Sequence, residues 1–267
     1  MSRNVSTLID LLEHAKAYDL AQPFYVGMPH HPVHPPFLFG LTKRHGDTVT
    51  PGGASSAAEA ITLGGHVGTH IDALCHFSCG GLLHGGIPVK DVQSYGGGLE
   101  RYAVDGITGI LRRGVLLDIA KLAGVEELPA DFSITVQHLE AAEAAQGVTV
   151  TPGSVCLIRT GWARFWDDPV KYIRQVRGPG PEKAGAEWLS ARGVFAAGSD
   201  TIAFERVPAV DMPVHVHLLV EHGIHIIEAL NMEELARDGV YEFAFVAAPL
   251  KIRGATGSPL RPLALSY

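Results

Sequence analysis

Apolar residues recur along this chain at two spacings, and the alternation between them sorts it into helices and strands. Leu8, Leu11, Leu12 and Ala15 fall three or four apart, which predicts a helix over 6–17 with Ser6 as its N-cap. A strand is expected to open at Tyr18 and run to Val26. The stretch 27–36 cannot be regular: Pro29, Pro32, Pro35 and Pro36 stand among His30, His31 and His34. It is a surface loop or one wall of a pocket, and its histidines read as loop residues. Residues 48–56 read as a turn, 58–64 as a short strand, 77–86 as a glycine-rich loop and 89–94 and 106–112 as short elements.

The second half is more regular. Gly114-Val115-Leu116-Leu117-Asp118-Ile119 and Ser154–Arg159 read as buried strands. Between them Thr135 caps a helix that Gly147 ends. The polar, Pro- and Gly-containing stretch 168–181 is expected to form a lid or a helix flanking the site. A helix over 182–191, a strand over 194–198 and a helix over 213–222 follow; Pro213 starts the last and Gly223 follows its end. Strands are predicted over 224–229 and 241–249. No repeat or long linker interrupts the series, so the class is α/β in one domain, residues 1–267.

Composition narrows the function. Hydrophobic residues make up 46% and charged residues 18% of 267, which specifies a packed core rather than a disordered chain. The net charge is −7 and no basic block exists, which argues against nucleic acid and anionic membrane as partners. No apolar run suits a secretory signal or a membrane span. The cysteines, Cys75, Cys79 and Cys156, are expected to be buried free thiols in a reducing cytoplasm.

The densest chemistry lies in His66-Val67-Gly68-Thr69-His70-Ile71-Asp72-Ala73-Leu74-Cys75-His76. Imidazole and carboxylate are ordinary ligands of zinc, manganese and iron. His66, His70, Asp72 and His76 all occupy even positions, so an extended backbone turns them to one face. On a helix His66 and His70 would also share a face, but Asp72 would stand about 200° round the axis. A helical backbone between His70 and Asp72 is therefore incompatible with one ion, and Gly64, Gly65 and Gly68 agree with that. Asp72 could then end the extended run and cap a helix near Ala73. The alternative is a solvated polar loop.

The same run resembles the HxGTHxDxxxH signature of the metal-dependent cyclase/hydrolase family, to which bacterial kynurenine formamidases and isatin hydrolases belong. Supporting matches are Tyr18-Asp19-Leu20, Gly27-Met28-Pro29, Gly198-Ser199-Asp200, Pro213-Val214-His215, Gly223-Ile224, Ile227-Glu228 and Gly254-Ala255-Thr256-Gly257-Ser258-Pro259. The resemblance implies a mixed-sheet fold of the swivelling β/β/α, cyclase-like type. It also implies a homodimer and a divalent ion, manganese or zinc. The activity it implies is hydrolysis of a C–N amide bond in a small cyclic or N-acyl, aromatic substrate.

On this reading His66, His70 and Asp72 hold the ion. His76 is the proton carrier to the leaving nitrogen, or else a histidine that orients the carboxylate. Glu228 sits on an apolar strand, where a carboxylate needs a partner; the resemblance gives it a metal-site role, and a structural salt bridge is the alternative. The family's further ligand, counted back from Glu228, falls on Val216, which cannot ligate. Of its neighbours, His215 shares a face with Leu218, Leu219 and His222, and His217 is the substitute ligand if the register shifts. Asp200 either orients a ligand histidine or caps a turn. Phe24, Phe37, Phe39 and Trp162 could supply an apolar pocket, though core packing is the default for each, and His84 either lines the site or holds a plain loop position, the second being the stronger reading. Two other functions remain open at this point: a catalytically silent metal- or ligand-binding protein, and a non-haem iron oxygenase, since two histidines and a carboxylate also form that triad.

Overall fold

The computed structural model describes residues 5–267. Helix α1 (Val5–His14) ends earlier than its periodicity predicts, because Lys16–Asp19 is taken into a strand, β1. The expected Ser6 cap lies outside the described side chains. The elements that frame the site include an outlying hairpin of β2 (Leu38–Lys43) and β3 (Ala58–Thr62), then β4 (His70–Asp72), β5 (Ile110–Asp118), α2 (Val136–Gln146) and β6 (Val155–Arg159). They are followed by α3 (Lys183–Ala191), β7 (Ala196–Ser199), α4 (Pro213–His215), β8 (His225–Glu228), β9 (Glu242–Ala247), β10 (Gly257–Pro259) and β11 (Leu263–Ser266). A π-helical turn, Val216–Glu221, continues α4 without a break.

The main strands form one curled, nine-stranded mixed sheet in the order β1-β11-β9-β5-β6-β7-β8-β4-β10. The centre, β5-β6-β7-β8, is parallel, and both flanks are antiparallel. That explains the sequence pattern. Central strands covered on both faces read as continuous apolar runs, such as Val115-Leu116-Leu117. Alternate residues serve opposite cores: Leu116, Leu157, Ile71 and Ile227 pack on one face with Phe243 and Phe245. Val115, Leu117, Ile158 and Ile226 pack on the other against Leu139 of α2, Leu189 of α3 and Val214 and Leu218 of the α4 segment. A third cluster, including Trp162, Trp166, Tyr172 and Phe37, lies beyond the strand ends.

Most of the helix and strand expectations coincide with observed elements. Thr135 accepts the His138 backbone N–H and Gly147 takes φ +66° at the end of α2. The strand expected over 18–26 is shorter, since after Asp19 the chain leaves the sheet and Pro23 keeps it irregular. Residues 257–259, at the end of the last motif match, form the sheet's edge. The stretch 168–181 carries a short helix pinned by Tyr172, whose hydroxyl donates to the Asp200 carbonyl.

Candidate metal centre

β4 sits between β8 and β10 in a register that decides the site. Asp72 pairs with Ile226 and Gly257, and His70 pairs with Glu228 and Pro259. Directly paired residues share a face, so His70, Asp72 and Glu228 converge. His66 and His76 do not lie on the strand, contrary to the single extended run expected; they return to it through turns on either side. The motif's small residues make those turns possible. Gly68 has φ +66°, and a Cβ there would stand 2.3 Å from the Phe24 ring. Thr69 accepts the Gln22 N–H and donates to the Ala229 carbonyl, tying the turn to the end of β8. A Cβ on Gly257 would lie 2.5 Å from the His66 imidazole, so the neighbouring strand must be bare where that ring packs.

The donors are buried and close. His66 Nδ1 lies 2.6 Å from Asp72 Oδ1, and its Nε2 is 2.8 Å from Thr256 Oγ1. The His70 Nδ1–H donates to the Gly68 carbonyl at 2.8 Å, which leaves the Nε2 lone pair facing Asp72 Oδ1 at 3.4 Å and Glu228 Oε2 at 3.5 Å. Glu228 Oε1 accepts the Phe204 N–H at 2.7 Å and stands 3.2 Å from His215 Nε2. His215 is oriented from behind, since Glu205 Oε1 accepts both its Nδ1–H (2.7 Å) and its backbone N–H (3.0 Å). Asp72 Oδ2 is buried with no hydrogen-bond partner and lies 4.0 Å from His215 Nε2.

That arrangement concentrates lone pairs with too few protons. Burial works against ionisation of Asp72, yet the His76 and His66 imidazoles around it hold its pKa well below the carboxylate range. Burial would likewise lower the His215 pKa, but Glu205 and Glu228 outweigh it and raise it to about 10. The side of the pocket formed by Asp72, Glu205 and Glu228 therefore favours positive charge. An orphaned carboxylate oxygen among imidazole and carboxylate donors is the chemistry of a divalent-ion site. The residues present fit such an ion.

His76 differs from its neighbours. Its ring stacks on His66 at 3.8 Å between centroids, and burial lowers its pKa to about 3, only partly offset by Asp72. It is neutral at pH 7, because burial makes its charged form costly. His34 stacks on the other side of the cluster, 5.1 Å from His66, with its pKa lowered to about 4 by half-burial and by the imidazoles around it. The segment 27–36 is thus a pocket wall, and His31 and His34 line the cavity. That cavity is about 420 Å³, within the range of small-molecule sites. Val33, Phe77, Ile202, Val207, Pro208 and Met212 supply its apolar lining. A larger cavity of about 660 Å³, lined by Tyr102, Arg112 and Arg253, contains none of the clustered donors.

A sequence model of the Cyclase family, described as "putative cyclase", matches residues 18–206, well over half the chain. The chain belongs to the Cyclase family. Among its relatives is an isatin hydrolase from Roseibium aggregatum, 27% identical over 214 residues, 77% of this chain and 73% of that protein. A kynurenine formamidase from Bacillus cereus is 27% identical over 248 residues, 91% of this chain and 94% of that one. A crystal structure titled as a novel cyclase superposes with a TM-score of 0.88 at 32% identity, covering 98% of this chain and 90% of its own.

Within this cyclase-family chain several expectations need correction. His217 is not among the central donors: it turns away to Glu221 and Ser190, and His215 takes the place facing Glu228. Asp72 caps no helix; Ala73 precedes a 3-10 turn, Leu74–His76, and the carboxylate faces the donors. Asp200 orients no histidine. It accepts N–H groups of Thr160 and Trp162 and the Thr160 hydroxyl, fixing that turn. None of the four aromatic candidates lines the cavity: Phe24, Phe37 and Trp162 pack in the third cluster, the default for such residues, and Phe39 is exposed on the hairpin. His84 donates to the Val220 carbonyl, outside it. Cys75 and Cys156 are buried thiols, whereas Cys79 is exposed. Glu205 and His34 were not anticipated. Neither carries a local signal, because each reaches the cluster only through tertiary folding.

Proposed function

We propose that this protein is a metal-dependent hydrolase that cleaves a C–N amide bond in a small, aromatic, cyclic or N-acyl substrate. The observation that carries the reading is the buried Asp72 carboxylate, whose Oδ1 faces His66 and His70 and whose Oδ2 has no hydrogen-bond partner and lies 4.0 Å from His215 Nε2. The relatives support the chemical class, since one is an isatin hydrolase and another a kynurenine formamidase. His66, His70 and Asp72 would hold a manganese or zinc ion, with Glu228 and His215 as further donors. Such an ion, when bound, makes water more acidic and polarises a carbonyl oxygen.

The chain's own groups do the rest. The apolar walls from Phe77, Ile202, Val207 and Met212 take a flat ring and exclude bulk water. His76 lines the cavity, stacked on His66, and is assigned the transfer of a proton from the attacking water to the leaving nitrogen. Glu205 keeps His215 in the tautomer whose Nε2 faces the cluster. With His215 present where Val216 would have left a gap, the ligand set is not depleted, which favours an enzyme over a silent binding protein.

The unit that acts is residues 1–267 as one hydrolase domain, in a reducing cytoplasm that suits the unpaired thiols, and as a homodimer. Ile9, Leu11 and Leu12 of α1 and Leu38, Phe39, Leu41 and Ile61 of the β2–β3 hairpin are exposed. A two-stranded hairpin is marginal alone, and a second copy would cover it. Light scattering on the eluting protein gives the mass: twice the chain is expected, and a monomer removes this part of the reading. For the activity, the protein is stripped with a chelator and assayed on isatin and formanilide before and after zinc or manganese. Turnover restored by either ion without oxygen is expected. Full loading without turnover on a broad amide panel, or oxygen consumption with iron, would replace the reading.

A further inference from the structure

The π-helical turn after α4 gathers a second group of metal-capable side chains, away from the cavity. At 3.6 residues per turn, residues five apart on an α-helix stand about 140° apart. Here the His222 N–H bonds to the His217 carbonyl at 3.1 Å, the i to i+5 pattern that widens the turn. The widening puts His217, Glu221 and His222 on one side. His217 Nδ1 lies 2.8 Å from Glu221 Oε2, and the His217 and His222 rings are 4.2 Å apart between centroids. One ligand atom from each of the three lies within 4.8 Å of the others. Glu221 and His222 are exposed, so small side-chain rotations close that span to the separations of a tetrahedral ion.

Ser190 of α3 supplies an independent observation. Its single hydroxyl proton has the Glu187 carbonyl within reach at 3.1 Å, and its oxygen lies 2.9 Å from His217 Nε2. Ser190 holds the His217 ring so that Nδ1 faces Glu221, where either a proton or a divalent ion can bridge the nitrogen and the carboxylate. A fourth nitrogen is close by. His84 donates Nδ1–H to the Val220 carbonyl, and its Nε2 lies 2.8 Å from where a Cβ on Gly223 would be.

The geometry points to a second, peripheral divalent-cation site made by His217, Glu221 and His222, with a water or His84 completing the shell. Two imidazoles and one carboxylate select the zinc, nickel and copper class over magnesium or calcium. None of the three residues lines the 420 Å³ cavity, so the site binds its ion independently of turnover.

The test uses the full chain in Asp72→Ala and native backgrounds, titrated with Zn²⁺ alone by calorimetry, with cobalt absorption as a second readout. In the Asp72→Ala protein one zinc equivalent is expected to persist, and its affinity should fall at least tenfold in Asp72→Ala/His222→Ala and in Asp72→Ala/Glu221→Gln. His222→Ala alone is expected to lose that equivalent, keep the central ion and hold turnover within twofold. The proposal is overturned if no zinc remains in Asp72→Ala while its circular dichroism is native, or if His222→Ala binds zinc as the native chain does. Because the two centres are read in separate variants, failure of the central reading leaves this outcome unaltered.

Discussion

His215 and His217 stand two residues apart on one helical segment and serve opposite surroundings. His215 enters a buried cluster whose donors come from β4, β8 and the turns around them, and Glu205 holds it from behind. His217 faces a cluster built within a single turn, in which Glu221 and His222 are exposed and Ser190 is the supporting contact. The difference is preorganisation. Strand pairing fixes His70, Asp72 and Glu228 before any ion arrives, and their desolvated charges favour a cation strongly. The outer turn must immobilise exposed side chains as it binds, so its affinity should be the weaker of the two.

The comparison can be broken most severely at Asp72. Asp72→Ala removes the carboxylate shared by His66, His70 and His215, and the account expects loss of the central ion and turnover at background, measured by metal analysis and amide hydrolysis. His76→Ala should separate binding from chemistry: the ion stays, and turnover falls by ~10²–10⁴-fold, the range for a lost general acid–base. Loss of metal in that variant would make His76 a ligand instead. Glu205→Gln releases His215 without touching the ion and should weaken central metal affinity by about 10–100-fold, read by chelator competition, while zinc binding at His217 is unchanged.

Milder effects sharpen the same contrast. In the metal-free chain His215 has its pKa raised to about 10, so it is protonated at pH 7 and an ion must displace that proton. Central affinity should therefore rise with pH, by about tenfold per unit for each proton released, and fall as the solution is acidified; a flat profile from pH 6 to 8 would count against the assignment. The smallest expected effect on catalysis is that of His222→Ala, within twofold.

Much of the fold was legible because the parallel strands are covered on both faces and announce themselves as apolar runs, and because α2 carries its own cap and terminator. The short strands were not. β10 and β11 owe their extended form to pairing with β4 and with β1 and β9, which no local pattern encodes. At the site, the His70 and Asp72 pair follows from strand parity alone. His66 and His76 share that parity but arrive through turns, so even spacing pointed to the right residues through a geometry that the chain does not adopt. The ambiguity between His215 and His217 could not be settled from helical angles. The segment is α-helical at its start and π-helical after it, and a one-residue error in the count exchanges the two surroundings.

The most direct measurement is diffraction at the zinc absorption edge from crystals of the zinc-loaded protein. The account predicts an anomalous peak bounded by the imidazoles of His66 and His70 and the carboxylate of Asp72, with Asp72 Oδ2 no longer unpartnered. Fully loaded crystals with no peak there, and with Asp72 still buried without a partner, would contradict it.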